Sequence, residues 1–156
     1  MADLVSDGKI RVVWAPSVAN IAAPTVAEVT AGLRLDTVMT PDGLKIAWKT
    51  ADVDTSSLSS TYDTSRAGRR GVDVSVEIKR QDSADTALTT LIYRAVGFLL
   101  VRRTVDAGTA PTAAQSWEVY PGECKQGSDT YGPNKVQTRT IDIGVTSDPQ
   151  ASAVMA

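Results

Sequence analysis

A chain of 156 residues is most simply one domain, spanning 1–156, and its hydrophobic content of 42% argues against wholesale disorder. The net charge of −2 and the pI of about 5.1 argue against a strongly basic, nucleic-acid-binding domain. The absence of histidine removes Ser-His-Asp and Cys-His nucleophile systems and most catalytic zinc sites, so we expect no enzymatic activity.

The first two predicted elements are a strand and a short helix. Residues 9–15 alternate in polarity and predict a strand that ends at Pro16, because proline has no N–H for a ladder. Thr25 and Glu28 have the spacing of a capping box, which predicts a helix over 26–31.

A hairpin and a long loop are predicted next. The runs 33–40 and 44–50 flank Pro-Asp-Gly at 41–43, a sequence typical of a turn. Residues 51–71 are rich in Ser, Thr, Asp, Arg and Gly, and we interpret them as a long loop. A loop of this length is uncommon in a compact domain unless it is functional or disordered.

The second half of the chain predicts further strands and one helix. Residues 72–79 show the cleanest alternation and predict a strand with one β-branched and one polar face. Leu88, Leu91 and Ile92 form an apolar stripe that predicts a helix over 84–93, capped by Asp82 or Ser83. The remaining predictions are strands at 97–103, 117–123 and 135–143 and a flexible tail at 146–156.

These elements sum to a mainly β fold. The sequence predicts an antiparallel β-sandwich or partial barrel with a flanking α-helix and a long extended loop. No apolar run approaches the roughly 20 residues that a membrane-spanning helix needs, so no membrane-spanning segment is expected.

The sequence contains a possible reactive cysteine and a possible calcium-binding loop, but each lacks residues that the function requires. Cys124 is the single cysteine and has no histidine base, so an incidental loop cysteine is the favoured interpretation. Asp52, Asp54 and Asp63 match three positions of a calcium loop, but Ser57 occupies the position that needs glycine. We therefore predict no catalytic, cofactor-binding or metal-binding residue and no cofactor.

Two polar strand faces carry more information than these motifs. One face consists of Asp73, Ser75, Glu77 and Lys79, and the other of Thr138, Thr140 and Asp142. Antiparallel sheets commonly expose one side to water, so a solvated face is the ordinary interpretation. A lumen lined by these groups is the alternative.

Three arginines lie in the segment predicted to be the long loop. Arg66, Arg69 and Arg70 suit either a nucleic-acid contact or an exposed basic loop tip. A third interpretation, which we favour, is an intersubunit contact in which they pair with acidic groups of a neighbour.

The order of elements from 97 to 148 suggests a family. An apolar strand ending in an Arg pair precedes a strand containing Tyr-Pro, and a Thr-rich strand follows near the C-terminus. This order resembles the C-terminal half of the major tail-tube proteins of long-tailed, siphovirus-type bacteriophages. The strand–loop–strand unit over 44–79 and the helix over 84–93 extend the resemblance to most of the chain.

The resemblance implies a structural subunit of a virion, assembled in the cytoplasm of a host bacterium. Such subunits form hexameric rings that stack into a tube, and an inner β-barrel lets DNA pass without specific binding. The implied partners are further copies of the chain and the tape-measure, tail-tip initiator and tail-terminator proteins. We expect a net acidic lumen, because it would not bind DNA.

The resemblance also assigns two groups of residues. The lumen-facing residues would be Asp73, Glu77, Thr138, Thr140 and Asp142. The contact loop between rings or subunits would use Leu58, Tyr62, Arg66, Arg69 and Arg70.

Other classes remain open at this point. A tail terminator or a head–tail connector of similar fold would stop at one ring. A soluble carbohydrate-binding or adhesion module would need clustered exposed aromatic residues, whereas Trp14, Trp48 and Trp117 are scattered along the sequence. An enzyme is the class that the sequence favours least.

Overall fold

A computed structural model describes residues 3–156, within which the chain forms nine strands and two short helices. The strands are β1 (Arg11–Ala15), β2 (Leu33–Arg34), β3 (Met39–Asp54), β4 (Ser65–Lys79), β5 (Val96–Arg102), β6 (Ser116–Cys124), β7 (Ser128–Thr130), β8 (Thr138–Val145) and β9 (Gln150–Val154). The helices are α1 (Val26–Ala31) and α2 (Thr86–Thr90).

All the strand pairs are antiparallel and follow the order β2-β1-β5-β6-β8-β4-β3, while β7 pairs with β8 and β9 with β6. The contact between β6 and β8 is short, because only 122–124 pair with 143–145. This junction divides the sheet into two parts. We call β2, β1, β5, β6 and β9 the helix-side sheet, and β3, β4, β8 and β7 the hairpin sheet.

The main core lies between these two parts. Val12, Leu99 and Val101 of the helix-side sheet share one buried cluster with Val76 and Ile141 of the hairpin sheet. The terminal strands β2 and β3 do not pair, so the sheet folds back on itself without closing. The predicted mainly β, antiparallel fold of the partial-barrel type is therefore confirmed.

A second core covers the other face of the helix-side sheet. Val29 of α1 packs with Leu100, Trp117 and Met155 in this cluster. Helix α1 has the predicted bounds, and its capping box is complete. The N–H of Glu28 donates to Thr25 Oγ1 at 3.3 Å, and the N–H of Thr25 donates to Glu28 Oε2 at 2.8 Å. The backbone N–H groups of Thr25 and Ala19 lower the pKa of Glu28.

The two consecutive arginines at the end of β5 have different environments, because one lies in the interior and the other at the surface. Arg102 is fully buried, and it makes no ion pair with a carboxylate of residues 3–156. Its guanidinium donates to the carbonyl oxygens of Asp106 and Thr109, each at 2.8 Å, and lies 5.3 Å from the ring centroid of Trp117. Arg103 points outward and pairs with Glu118 at 2.9 Å. Arg102 thus stabilises the loop that follows β5.

The predicted hairpin over 33–50 is wrong. Residues 33–34 pair with β1, and β3 runs through Pro41-Asp42-Gly43 without reversing. The pairing with β4 shifts between Met39 and Leu44, so the three residues form an irregularity in the strand. An edge strand tolerates proline because the missing N–H needs no ladder partner there.

The predicted loop over 51–71 is also corrected. Residues 51–54 belong to β3 and 65–71 to β4, which leaves 55–64 as the turn of a long hairpin. The pairing of β4 with β8 stops at Val74. Residues 50–70 therefore form a two-stranded ribbon beyond the sheet, which we call the hairpin arm. Polar residues occupy both faces of this ribbon, so its sequence lacks the strand alternation.

The C-terminal tail and the second helix differ from the predictions as well. Residues 150–154 form β9 and are followed by the buried Met155, so this part of the expected flexible tail is a strand. Helix α2 covers only Thr86–Thr90, with Asp85 as its N-cap in place of Asp82 or Ser83. The chain leaves the helix at Leu91, which turns Ile92 out to solvent.

The junction between the two sheets predicts a sharp effect of substitution. A Cβ at Gly122 would overlap Ile143 Cγ2 and lie 3.0 Å from the carbonyl oxygen of Gly144. We expect Gly122→Ala to lower the free energy of unfolding by about 1–3 kcal/mol, because the junction cannot absorb the methyl group. Urea denaturation measures this change.

Gly144→Ala is the matched control for this prediction. A Cβ at Gly144 would have Lys125 Cε as its nearest neighbour, at 3.2 Å. Because this atom is near the end of a flexible side chain that can move, we expect the free energy of unfolding to change by no more than about 0.5 kcal/mol. Equal effects of the two substitutions would contradict the assigned role of the β6–β8 junction.

Candidate assembly surfaces

The hairpin sheet has one polar face, and the strand register builds it. Ser75 lies opposite Asp142, Glu77 opposite Thr140, and Lys79 opposite Thr138. Asp73 is two residues before Ser75 on the same face of β4. The structure therefore brings the five residues predicted to line a lumen onto one face, although Thr138 is buried and contributes little surface.

The charge of this face differs from the expected net acidic character. Strand β3 adds Lys45, opposite Ser75, and Lys49, opposite Gly71. Lys49 Nζ lies 2.8 Å from Asp73 Oδ1. Lys79 and Lys125 add two more cations, and Lys125 lines the same surface as Lys45 and Asp142. Four lysines therefore accompany the three carboxylates, so the face is not net acidic. The expectation weighed mainly the acidic positions of β4 and β8.

The two edges of the hairpin sheet are unequal in length. Strand β3 has 16 residues and pairs only with β4, so its outer edge has no partner within residues 3–156. Strand β7 has three residues and, in the described part of the chain, pairs with β8 alone. A long unpaired edge is a template for another strand. The sheet therefore offers a backbone surface to a second chain.

The residues predicted to form a contact loop lie along the hairpin arm. Leu58 and Tyr62 are at the turn, with relative exposures of 108% and 78%. Arg66, Arg69 and Arg70 are not in a loop, because all three belong to β4. A two-stranded ribbon with both faces exposed is marginally stable by itself. The arm is thus a segment that a partner would support.

Acidic residues line the arm near its turn. Asp54 accepts a hydrogen bond from the N–H of Ser56 at 2.8 Å, and this bond lowers the pKa of its carboxyl group. The carboxylate thus fixes the start of the turn.

Within residues 3–156, no cluster of three or more His, Cys, Asp or Glu side chains is arranged to hold a metal ion.

A groove at the base of the arm includes an aromatic residue that the sequence did not single out. Trp48 is half-exposed and lies 6.3 Å from the ring of Tyr120, centroid to centroid. The groove has a volume of about 640 Å³, and its walls include Arg69 and Arg70. Arg70 pairs with Asp148 at 3.5 Å. Trp48 shares a face of β3 with Ile46, but β8 does not extend beside it, because the pairing of β4 with β8 stops at Val74.

Cys124 is buried in the main core, at the end of β6. Burial and the adjacent Glu123 raise the pKa of its thiol to about 11. We expect no reaction with an aromatic disulfide reagent at pH 8 in the folded protein, because the thiolate is disfavoured and inaccessible. Thiol titration with and without guanidinium chloride measures this, and rapid labelling of the folded chain would contradict it.

Comparisons with known proteins agree on one kind of fold. A model of the family described as phage tail tube protein matches residues 1–156. The chain is similar in structure to the tail of an empty GTA particle computed with helical refinement in C6 symmetry. That match has a TM-score of 0.56 and 17% identity, covering 97% of this chain and 100% of the other.

A second similar structure is the anti-feeding prophage (AFP) baseplate, 6-fold symmetrised. Its TM-score is 0.55 at 9% identity, and 96% of each chain is covered. A search of curated proteins found no match. Among the described residues, no helix is long and apolar enough to cross a membrane.

Proposed function

Because the chain belongs to the phage tail tube protein family and is a structural subunit of the virion, we propose that six copies form a ring and that these rings stack into a tube. The 6-fold symmetry of the GTA tail and of the AFP baseplate supports six copies. The tube is the conduit for DNA, and the chain has no enzymatic activity. Assembly takes place in the cytoplasm of the host bacterium.

The faces and edges of the hairpin sheet support this proposal. One of its faces packs on the core, the other is polar, and neither outer edge pairs with another strand of residues 3–156. Pairing the β3 edge of one copy with the β7 side of the next removes both edges at once. Six copies close a continuous barrel in this way, with the polar face toward the lumen.

The mixed charge of the polar face suits a conduit. Asp73, Glu77, Thr140 and Asp142 line the lumen together with lysines. Because carboxylates lie among the cations, DNA phosphates meet no continuous cationic surface, so DNA slides without specific binding. Thr138 belongs to the same face but contributes little surface, because it is buried.

The hairpin arm is the contact between rings. Leu58 and Tyr62 provide apolar contact area at the turn, and Arg66, Arg69 and Arg70 provide polar contacts along the ribbon. A contact between two different surfaces repeats along an axis and makes a filament. The tape-measure, tail-tip initiator and tail-terminator proteins are the partners at the inside and the ends of the tube.

Shortening the arm tests the proposal. We expect the purified chain to form hollow tubes in negative-stain electron microscopy as its concentration rises. Replacing residues 57–63 by a two-residue turn should abolish tubes, because the contact between rings is lost, and leave circular dichroism and the unfolding midpoint unchanged. Replacing the exposed Leu4 by Ser is the control and should leave tubes intact.

Three outcomes would contradict the assignment in different ways. Tubes from the shortened chain would remove the arm from ring contacts. Single closed rings from the unaltered chain would favour a tail terminator or a connector. Monomers at every concentration, even with the tail-tip proteins present, would contradict the tube function.

Reversing the lumen charge tests the polar face. Asp73→Lys with Glu77→Lys replaces two negative charges by two positive charges in every copy, so DNA phosphates would bind the wall. We expect normal tube length but at least roughly tenfold slower DNA release from phage particles, with a strong dependence on salt. Asp73→Asn with Glu77→Gln is the control, and equal release from both variants would contradict the lumen assignment.

A further inference from the structure

We propose that the turn of the hairpin arm docks on the opposite end of the hairpin sheet of a second copy, so that copies join head to tail. This inference rests on the proposed tube function and names the surface that receives the arm. It follows from the positions of the two ends, from their exposed apolar side chains and from their opposite charges.

The two surfaces lie at opposite ends of one strand. Strand β4 has 15 residues, from Ser65 in the arm to Lys79 at the far end. At about 3.3 Å per residue, these ends are roughly 45 Å apart. At the far end, the N–H of Arg80 donates to the carbonyl oxygen of Gln137 at 2.8 Å, which joins this end of β4 to the loop 131–137.

Cationic and apolar side chains are exposed together at this far end. We call Lys79, Arg80, Tyr131, Lys135 and Val136 the basal surface. Tyr131 and Val136 have relative exposures of 75% and 64%, although both are large and apolar. The turn of the arm presents Leu58 and Tyr62 in the same way. Each surface therefore offers apolar area whose burial would stabilise a contact.

The charges of the two surfaces are complementary. Residues 52–65 contain three carboxylates, Asp52, Asp54 and Asp63, and no Lys or Arg. The loop 131–137 contains Lys135 and no carboxylate. Opposite charges at the two ends favour the head-to-tail contact over a contact between two turns or between two basal surfaces.

Two acidic side chains near the basal surface are already paired with arginines. Asp85 lies 3.6 Å from Arg80, and Asp129 lies 2.6 Å from Arg139. Lys135 makes no ion pair within residues 3–156, which leaves its charge available to a second chain.

The groove beside Trp48 is the other basic surface, and its position argues against it as the receiving site. It lies at the base of the arm, at the same end of the hairpin sheet as the turn. A repeat along the strand direction brings the turn of one copy to the far end of the next copy, not to the base of its arm. The basal surface is the one that a head-to-tail repeat presents.

Disulfide trapping tests this contact in the full chain. Leu58→Cys combined with Val136→Cys should give, on oxidation of assembled tubes, a ladder of covalent oligomers well beyond dimers. A ladder is expected because each copy gives its turn to one neighbour and its basal surface to another. The native Cys124 is buried and does not interfere.

Two control variants distinguish the head-to-tail contact from unspecific cross-linking and from a contact between two turns. Leu58→Cys combined with Val154→Cys places the second thiol on β9, at an exposed position of the helix-side sheet, and should give no ladder. Leu58→Cys alone should stay monomeric on the gel. Dimers from the single variant would mean that two turns meet, which would overturn the inference.

A charge exchange provides the second measurement. Asp63→Lys and Lys135→Asp should each reduce the yield of sedimented tubes by about tenfold, and the double variant should recover most of that yield. Unaltered tubes without the 58–136 ladder, or no recovery in the double variant, would overturn this inference alone. A chain that forms neither rings nor tubes would overturn the proposed function as well.

Discussion

The register of β4 between β3 and β8 is the constraint on which the rest of the structure depends. Val76 pairs with Leu44 on one side and with Ile141 on the other, and this pairing builds the core. The same register places Glu77 beside Thr140 on the polar face. A slip of one residue would turn the apolar side chains to water and the charged ones inward. Core packing therefore fixes the surface that the proposed lumen requires.

Local signals in the sequence predicted the elements that depend on neighbouring residues. The capping box of Thr25 and Glu28 gave the correct bounds of α1, and the alternation over 72–79 gave the two faces of β4. Elements that depend on distant partners were missed. Strand β9 exists because β6 offers it an edge, and the polar arm is a strand because β3 and β4 pair along it. Neither pairing leaves a periodic pattern in the sequence.

The sequence likewise predicted some features of the candidate assembly surfaces and missed others. The five residues predicted for the polar face do lie together, because side-chain alternation within a strand is a local property. The lysines of β3 were missed, since a cross-strand register is needed to place Lys49 beside Asp73. The arginines were predicted to lie in a loop but stand on a strand, which gives them fixed positions along the arm. Sequence patterns thus identified the face, and strand pairing determined its charge.

A helical cryo-EM reconstruction of assembled tubes would locate the polar face of the hairpin sheet relative to the channel. We expect a ring of six copies in which Asp73, Glu77 and Asp142 line the inner wall. We also expect the outer edge of β3 to be hydrogen-bonded to the sheet of the neighbouring copy. A map in which α1 lines the channel, or in which the polar face of the hairpin sheet lies on the outside of the tube, would contradict the lumen assignment.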